Sequence, residues 1–209
     1  DHRDLHSFPT RRSSDLLMMA DLGPGLRVLE SGVGSGALSM AMLRCGAEIV
    51  GYEIREEFAD RARENVAKFL GEGVLDRYHI ELRDCYEGID EHDLDRVILD
   101  LPEPWKAVPH AATALRPGGL ILGYSPSIVQ VIQFRNALKA HRFVLPETIE
   151  VLNRGWYLEG AAVRPDHRMV AHTGFLTVAR RGPRLDPLTE VVTDELLDLL
   201  GVQDEEQPS

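Results

Sequence analysis

Apolar and polar positions along the chain follow two rhythms: short unbroken apolar runs, and longer stretches with helical spacing. The first predicted strand, Val28-Leu29-Glu30-Ser31, leads into Gly32-Val33-Gly34-Ser35-Gly36 and then into a helix predicted over Ala37 to Cys45. Glu48 to Glu53 predicts a second strand that ends in a carboxylate. Glu56 to Leu70 has helical periodicity, with Phe58, Ala62, Val66 and Phe69 expected on one face. Arg77 to Leu82 reads as a short strand leading to Asp84, and Leu94 to Leu99 as a buried strand ending at Asp100. Trp105 to Leu115 is predicted helical, stopped by the breakers Arg116-Pro117-Gly118-Gly119. Leu120 to Tyr124 is another apolar strand, and Ile128 to Ala140 an amphipathic helix. Strands and helices in alternation imply an α/β fold, a parallel sheet covered on both faces.

The C-terminal part changes character. Glu147 to Leu152 and Met169 to Ala179 read as extended segments, with no helix between them. Two consecutive strands without a crossover must pair antiparallel. Leu188 to Leu200 predicts a terminal helix, followed by the acidic tail Asp204-Glu205-Glu206-Gln207-Pro208-Ser209.

With 209 residues, 44% hydrophobic and 27% charged, the chain has room for one ordinary globular domain. No apolar run approaches the roughly 18 residues that span a bilayer. A net charge of −11 speaks against a simple nucleic-acid binder, since phosphate contacts come from basic surface. Part of that charge lies in the tail. Cys45 and Cys85 are too few for a disulfide framework and fit no zinc spacing, so both read as buried thiols of a reducing cytoplasm. His167 and His172 lack metal-ligand spacing with any nearby acid or cysteine. No Ser-His-Asp or Cys-His arrangement points to covalent catalysis.

The chemistry concentrates at the strand ends. Glycines at alternate positions let the backbone turn sharply and approach a ligand, and the next helix offers free N–H donors. Glu53, seventeen positions beyond Gly36, suits both hydroxyls of a ribose. Gly-x-Gly-x-Gly in place of Gly-x-Gly-x-x-Gly favours S-adenosylmethionine over the pyrophosphate of NAD, which remains the alternative. Asp100-Leu101-Pro102-Glu103-Pro104-Trp105 is the second signal: two prolines stiffen the loop that carries the aspartate. Asp84 is placed to bond an adenine amino group, and Phe58 to pack nearby. Tyr124-Ser125-Pro126 ends on the same rim and reads as possible pocket lining.

Taken together, these segments resemble the bacterial tRNA (adenine-N1)-methyltransferase family over roughly Leu17 to Arg181. The resemblance rests on Val28 to Leu38, on Tyr52-Glu53 and on Asp100 to Trp105. Its most family-specific part is Arg154-Gly155-Trp156-Tyr157-Leu158-Glu159-Gly160 through Arg164-Pro165-Asp166-His167-Arg168-Met169-Val170-Ala171-His172-Thr173-Gly174-Phe175-Leu176. It implies a Rossmann-like class I methyltransferase: a mostly parallel seven-stranded sheet ending in an antiparallel hairpin. It implies methyl transfer from S-adenosylmethionine to N1 of adenine 58 in the T loop of tRNA. The cofactor site would comprise Gly32, Gly34, Ser35, Gly36, Ala37, Leu38, Glu53, Phe58, Asp84 and Asp100, with Asp100 catalytic and no metal. The family works in the cytoplasm as a homotetramer, in which Arg154, Arg164, Arg168, Arg180 and Arg181 could pool into a basic groove. Another class I methyltransferase and a non-catalytic RNA-binding subunit are the competing readings.

Two departures from the family pattern bear on the domain map. Ser7 to Leu16 resembles a translated sequencing adapter, so residues 1–16 are read as non-native and the family's N-terminal β domain as absent. Residues 17–183 form the expected catalytic domain, and residues 184–209 a terminal helix with its tail. The Arg44-Cys45-Gly46-Ala47 link is also a few residues short.

Overall fold

The computed structural model describes residues 10–183 apart from 153, 161, 166 and 168–173. Helix α1 (Thr10–Met19) precedes strand β1 (Arg27–Ser31), helix α2 (Ala37–Arg44), strand β2 (Glu48–Glu53) and helix α3 (Glu56–Leu70). Strands β3 (Tyr78–Leu82) and β4 (Leu94–Leu99) follow, then helix α4 (Val108–Ala114), strand β5 (Leu115–Ser125) and helix α5 (Ile128–Ala140). The chain then forms β6 (Phe143–Glu150), β7 (Trp156–Glu159), β8 (Ala162–Pro165) and β9 (Phe175–Arg181).

Seven strands make one sheet in the order β3-β2-β1-β4-β5-β9-β6. The pairings among β3, β2, β1, β4 and β5 are parallel. Strand β9 runs antiparallel to both β5 and β6, as two strands without a crossover require. The tip between β6 and β9 folds as a separate antiparallel pair, β7 with β8, which the sequence pattern did not resolve. Residues 169–173 of the expected last strand, and the predicted helix at 188–200, lie outside the described residues.

Alternation within each buried strand divides the core. Val28, Ile49, Ile98, Leu120 and Leu122 pack under α1, α2 and α3. Leu29, Val97, Leu99 and Ile121 face the other way, against Ala111 of α4 and Phe134 of α5. Unbroken apolar strands are therefore required by a sheet with two covered faces. The sheet has no helix between β3 and β4: residues 83–93 cross as a loop that buries Cys85 and Ile89 in a helix's place. Cys85 is buried as expected, whereas Cys45 is only partly so, and both are free thiols.

Several boundaries moved for local reasons. Pro104 and Pro109 split the helix predicted over Trp105 to Leu115 into a 3-10 turn, Pro104–Ala107, followed by α4. The helix does end where expected, at Ala114, but β5 begins at Leu115 rather than Leu120, so the breakers at 116–119 lie inside that strand. They bulge out of β5, so that Leu94 pairs with Leu115 but Arg96 pairs with Leu120. On α3 the buried positions are Ala59, Ala62 and Val66, while Phe69 is exposed, contrary to the expected face. Phe69 keeps the spacing of the stripe but lies in the last turn of α3, which ends at Leu70. Helix α1 spans the boundary expected at Leu17, and Leu16 is buried. Its end is tied to the sheet by the buried Arg96, which donates to the carbonyl oxygens of Ala20 (2.5 Å) and Asp21 (2.8 Å).

Candidate active site

The carboxyl ends of β1, β2 and β4 meet at Gly32. In the strand register Ser31 lies beside Tyr52 and Leu99, so Glu53 and Asp100 flank Gly32 on either side. Gly32 N–H donates to the Tyr52 carbonyl (3.1 Å), and Asp100 N–H to the Ser31 carbonyl (3.0 Å). Only glycine fits here: φ is +89°, and a Cβ would lie 2.4 Å from the Asp100 carbonyl oxygen. At Gly34 (φ +56°) a Cβ would meet nothing nearer than 4.0 Å, so the middle of the turn opens to the crevice. Gly36 caps α2 at φ +77° and lets Ala62 of α3 approach to 3.1 Å of where its Cβ would be. Asn65 of α3 steadies the turn by donating to the Ser35 carbonyl (2.9 Å). Ala37 and Leu38 begin α2, and Leu38 is buried. The short link behind α2 closes as a tight turn, with Gly46 at φ +87° against Pro24.

Glu53 is buried, yet well solvated by the backbone. It accepts N–H groups from Gly34 (3.0 Å), Ile54 (3.1 Å) and Arg55 (3.2 Å), and the Arg55 Nε lies at 3.5 Å. The Arg55 guanidinium covers the Phe58 ring at 3.7 Å, so Phe58 sits one helical turn beyond Glu53 on a half-buried surface. Asp84 follows β3 and accepts the Tyr86 N–H at 2.9 Å. The loop after Asp100 is held from two sides. Gln130 donates to the Pro102 carbonyl (2.8 Å), and Glu103 N–H donates to the Tyr86 hydroxyl (3.1 Å).

Glu30 is the residue that sequence reasoning missed. Its signal was a charge inside an apolar strand, two positions before the first glycine. It is 1% exposed and accepts a 2.5 Å hydrogen bond from Ser39, which in turn accepts one from Tyr78 at 2.9 Å. Burial pushes the Glu30 carboxyl up to about 8; the Ser39 bond opposes the rise, and the charges of Asp100 and Glu53 add to it. Burial and the Glu30 charge likewise raise the Tyr78 phenol. Ser125, at the end of β5, is fully buried with an unpartnered Oγ, and the Gln130 Oε1 is also buried and unpartnered. Polar atoms left this way are uncommon and mark places where a ligand can bond.

Among the described residues no three His, Cys, Asp or Glu side chains cluster as metal ligands. His167 is exposed, and His172 lies outside the described residues. A cavity of about 200 Å³ lined by Arg27, Glu48, Asp76 and His79 sits at the opposite, amino end of the strands, away from this crevice. No described helix is long and apolar enough to cross a membrane.

An open glycine turn, a buried acid at the end of the second strand and an excess of carboxylates fit a cofactor that carries adenosine and positive charge. Fold and site together define an S-adenosylmethionine-dependent methyltransferase of Rossmann-like architecture. Residues 10–163 match the family described as "tRNA methyltransferase complex GCD14 subunit", and the chain belongs to it. It is 37% identical over 186 residues to the tRNA (adenine(58)-N(1))-methyltransferase TrmI of Thermus thermophilus, an alignment covering 86% of this chain and 72% of that protein. A structure from Thermotoga maritima titled as a SAM-dependent O-methyltransferase superposes with a TM-score of 0.78 at 35% identity, over 84% of this chain and 66% of that one. The tRNA (m1A58) methyltransferase TrmI of Aquifex aeolicus superposes with a TM-score of 0.76 at 27% identity, over 85% and 70%.

Proposed function

We propose that this chain transfers a methyl group from S-adenosylmethionine to N1 of adenine 58 in the T loop of tRNA. The observation that carries the reading is the stiff Asp100 loop, docked on Gly32 beside the open glycine turn. The cofactor supplies an electrophilic methyl group. Gly32, Gly34, Ser35, Gly36, Ala37 and Leu38 would cradle its methionine end, and Glu53 its ribose, in place of the long Arg55 contact. Phe58 and Asp84 would flank the adenine. Adenine N1 has a lone pair, so an in-line displacement needs no covalent enzyme intermediate. The chain's main task is then to position the two reactants, an effect worth up to about 7–11 kcal/mol.

Asp100 would accept a hydrogen bond from the adenine amino group and stabilise the cation that methylation at N1 creates. A base stacked in the tRNA elbow must first swing out, at a cost of roughly a few kcal/mol. Gln130 of α5 holds the Asp100 loop in place for that base through its bond to the Pro102 carbonyl. The Arg154 and Arg164 guanidinium groups lie 6.0 and 4.6 Å from the rings of Trp156 and Tyr157 on the exposed β7–β8 pair, a cationic and aromatic surface suited to RNA. Arg180 and Arg181 instead bond the Gly118 and Ala112 carbonyls, and Arg168 lies outside the described residues. A cytoplasmic homotetramer, in which these surfaces from several copies form one groove, completes the proposal. Sizing by light scattering tests it: a monomer that still methylates tRNA would refute the shared groove.

The deciding experiment incubates T-loop tRNA with the chain and S-adenosylmethionine and maps the modified nucleotide. Methyl at N1 of adenine 58, lost with Asp100→Ala, supports the reading. Methyl on another base, or on a small molecule alone, refutes it.

A further inference from the structure

Glu30 lies on β1, Glu53 at the end of the adjacent β2, and Asp100 directly after β4 on the other side, all around one glycine turn. With strands ~4.8 Å apart and ~3.3 Å of rise per residue, the Cα atoms of Glu53 and Asp100 are each about 8 Å from that of Glu30. Glu53 has an exposed partner in Arg55 and three backbone donors. Glu30 has only neutral hydroxyls around it in the bonds that define its pocket: Ser39 from α2 and, behind it, Tyr78 from β3. The groups acting on it electrostatically are the carboxyls of Asp100 and Glu53, both of which push its own carboxyl up; Arg63 of α3 acts on Tyr78. A fully buried acid between two carboxylates is stable as the neutral form until a cation arrives.

We infer that Glu30 senses the charge of the methyl donor: it is protonated in the free protein, releases that proton when cationic S-adenosylmethionine binds, and is reprotonated once the products leave. The inference rests on the methyl-donor reading of the same site and adds to it the residue that tells donor from spent donor. The balance is simple. On binding, the Glu30 O–H bond breaks, the proton passes to solvent, and the carboxylate that remains is balanced in charge by the sulfonium. After transfer the positive charge departs on the methylated base, the thioether left behind is neutral, and Glu30 takes a proton back from solvent. The burial that pushes its carboxyl up to about 8 places this exchange near neutral pH.

Calorimetry of the whole chain at about pH 7, in buffers of unlike ionisation enthalpy, counts the protons. About one proton should leave per S-adenosylmethionine bound, and close to none per S-adenosylhomocysteine. The ratio of the two affinities should rise about tenfold per pH unit between about pH 6 and 8, then level off. The two ligands' own amino groups, which the sulfonium makes unequal in basicity, contribute alike in the parent and Glu30→Gln chains and drop out of the comparison between them. Glu30→Gln should abolish the release and flatten the ratio, while Glu30→Asp, which keeps the acid, should retain a pH-dependent ratio. Binding of S-adenosylmethionine by the unaltered chain without proton release would overturn the inference and leave the methyl-donor reading standing. Failure of S-adenosylmethionine to bind would overturn both. A Glu30→Gln chain that keeps the pH-dependent ratio would assign the sensing to another group.

Discussion

Replacing Glu30 by Gln should stabilise the ligand-free protein, and more so as the pH rises. In the fold the Glu30 carboxyl titrates near 8, against an ordinary value of 4.5. Below pH 4.5 both folded and unfolded chains hold the proton, so the group makes no difference. Between 4.5 and about 8 the unfolded chain has lost it and the folded chain retains it, so stability falls as pH rises. Above that window the full penalty of a buried carboxylate is present. At about 1.4 kcal/mol per pH unit, the window corresponds to at most about 5 kcal/mol, and relaxation with water entry should reduce it to about 2–3. Gln keeps the volume and can still accept the Ser39 hydroxyl, but never ionises. Urea unfolding of both chains from about pH 5 to pH 9 measures the difference directly. The Gln chain should gain on the parent by up to about 1.4 kcal/mol per pH unit and then run parallel to it. Two stability curves that stay parallel across the whole range would show Glu30 ionised throughout and refute the argument.

Other perturbations follow from the same geometry. Gly32→Ala places a Cβ at positive φ, 2.4 Å from the Asp100 carbonyl; it should cost about 2–4 kcal/mol by denaturant titration and weaken S-adenosylmethionine binding by calorimetry. Normal affinity in a folded Gly32→Ala chain would remove the glycine turn from the site. Asp100→Asn should lower turnover about 10²–10³-fold while changing cofactor affinity little, since its charge acts on the developing cation. Arg96→Met removes the bonds to the Ala20 and Asp21 carbonyls; a loss of about 1–3 kcal/mol and faster proteolysis within α1 are expected. If Arg154 and Arg164 touch phosphates, each alanine substitution should lower the slope of log affinity against log salt by about one, and an unchanged slope excludes that contact.

The class of fold was legible because its strongest determinants are local. Short apolar runs such as Val97-Ile98-Leu99 are satisfied between two helical layers, and glycines at alternate positions after β1 mark a tight turn, at whose first position, Gly32, a side chain has no room. Glu53 and Asp100 could be picked out because each ends such a run. Phe69 was misplaced because a stripe at helical spacing does not say where the partner surface stops. The end of the helix before residues 116–119 was legible, but the start of β5 ahead of them was not, because composition reveals a break in regular backbone and not whether a neighbouring strand pairs across it.

By itself, then, the order of residues determined the alternation of strands and helices, the glycine turn and the acids at the strand ends, since these depend on neighbours in the chain. Only the tertiary structure decided that Glu53 and Asp100 flank Gly32, that Glu30 lies sealed between them with Ser39 and Tyr78, and that Arg96 ties down α1. Those relations join residues tens of positions apart. Their energies come from burial and from charges brought close in a medium that water cannot screen, and neither exists until the sheet has assembled.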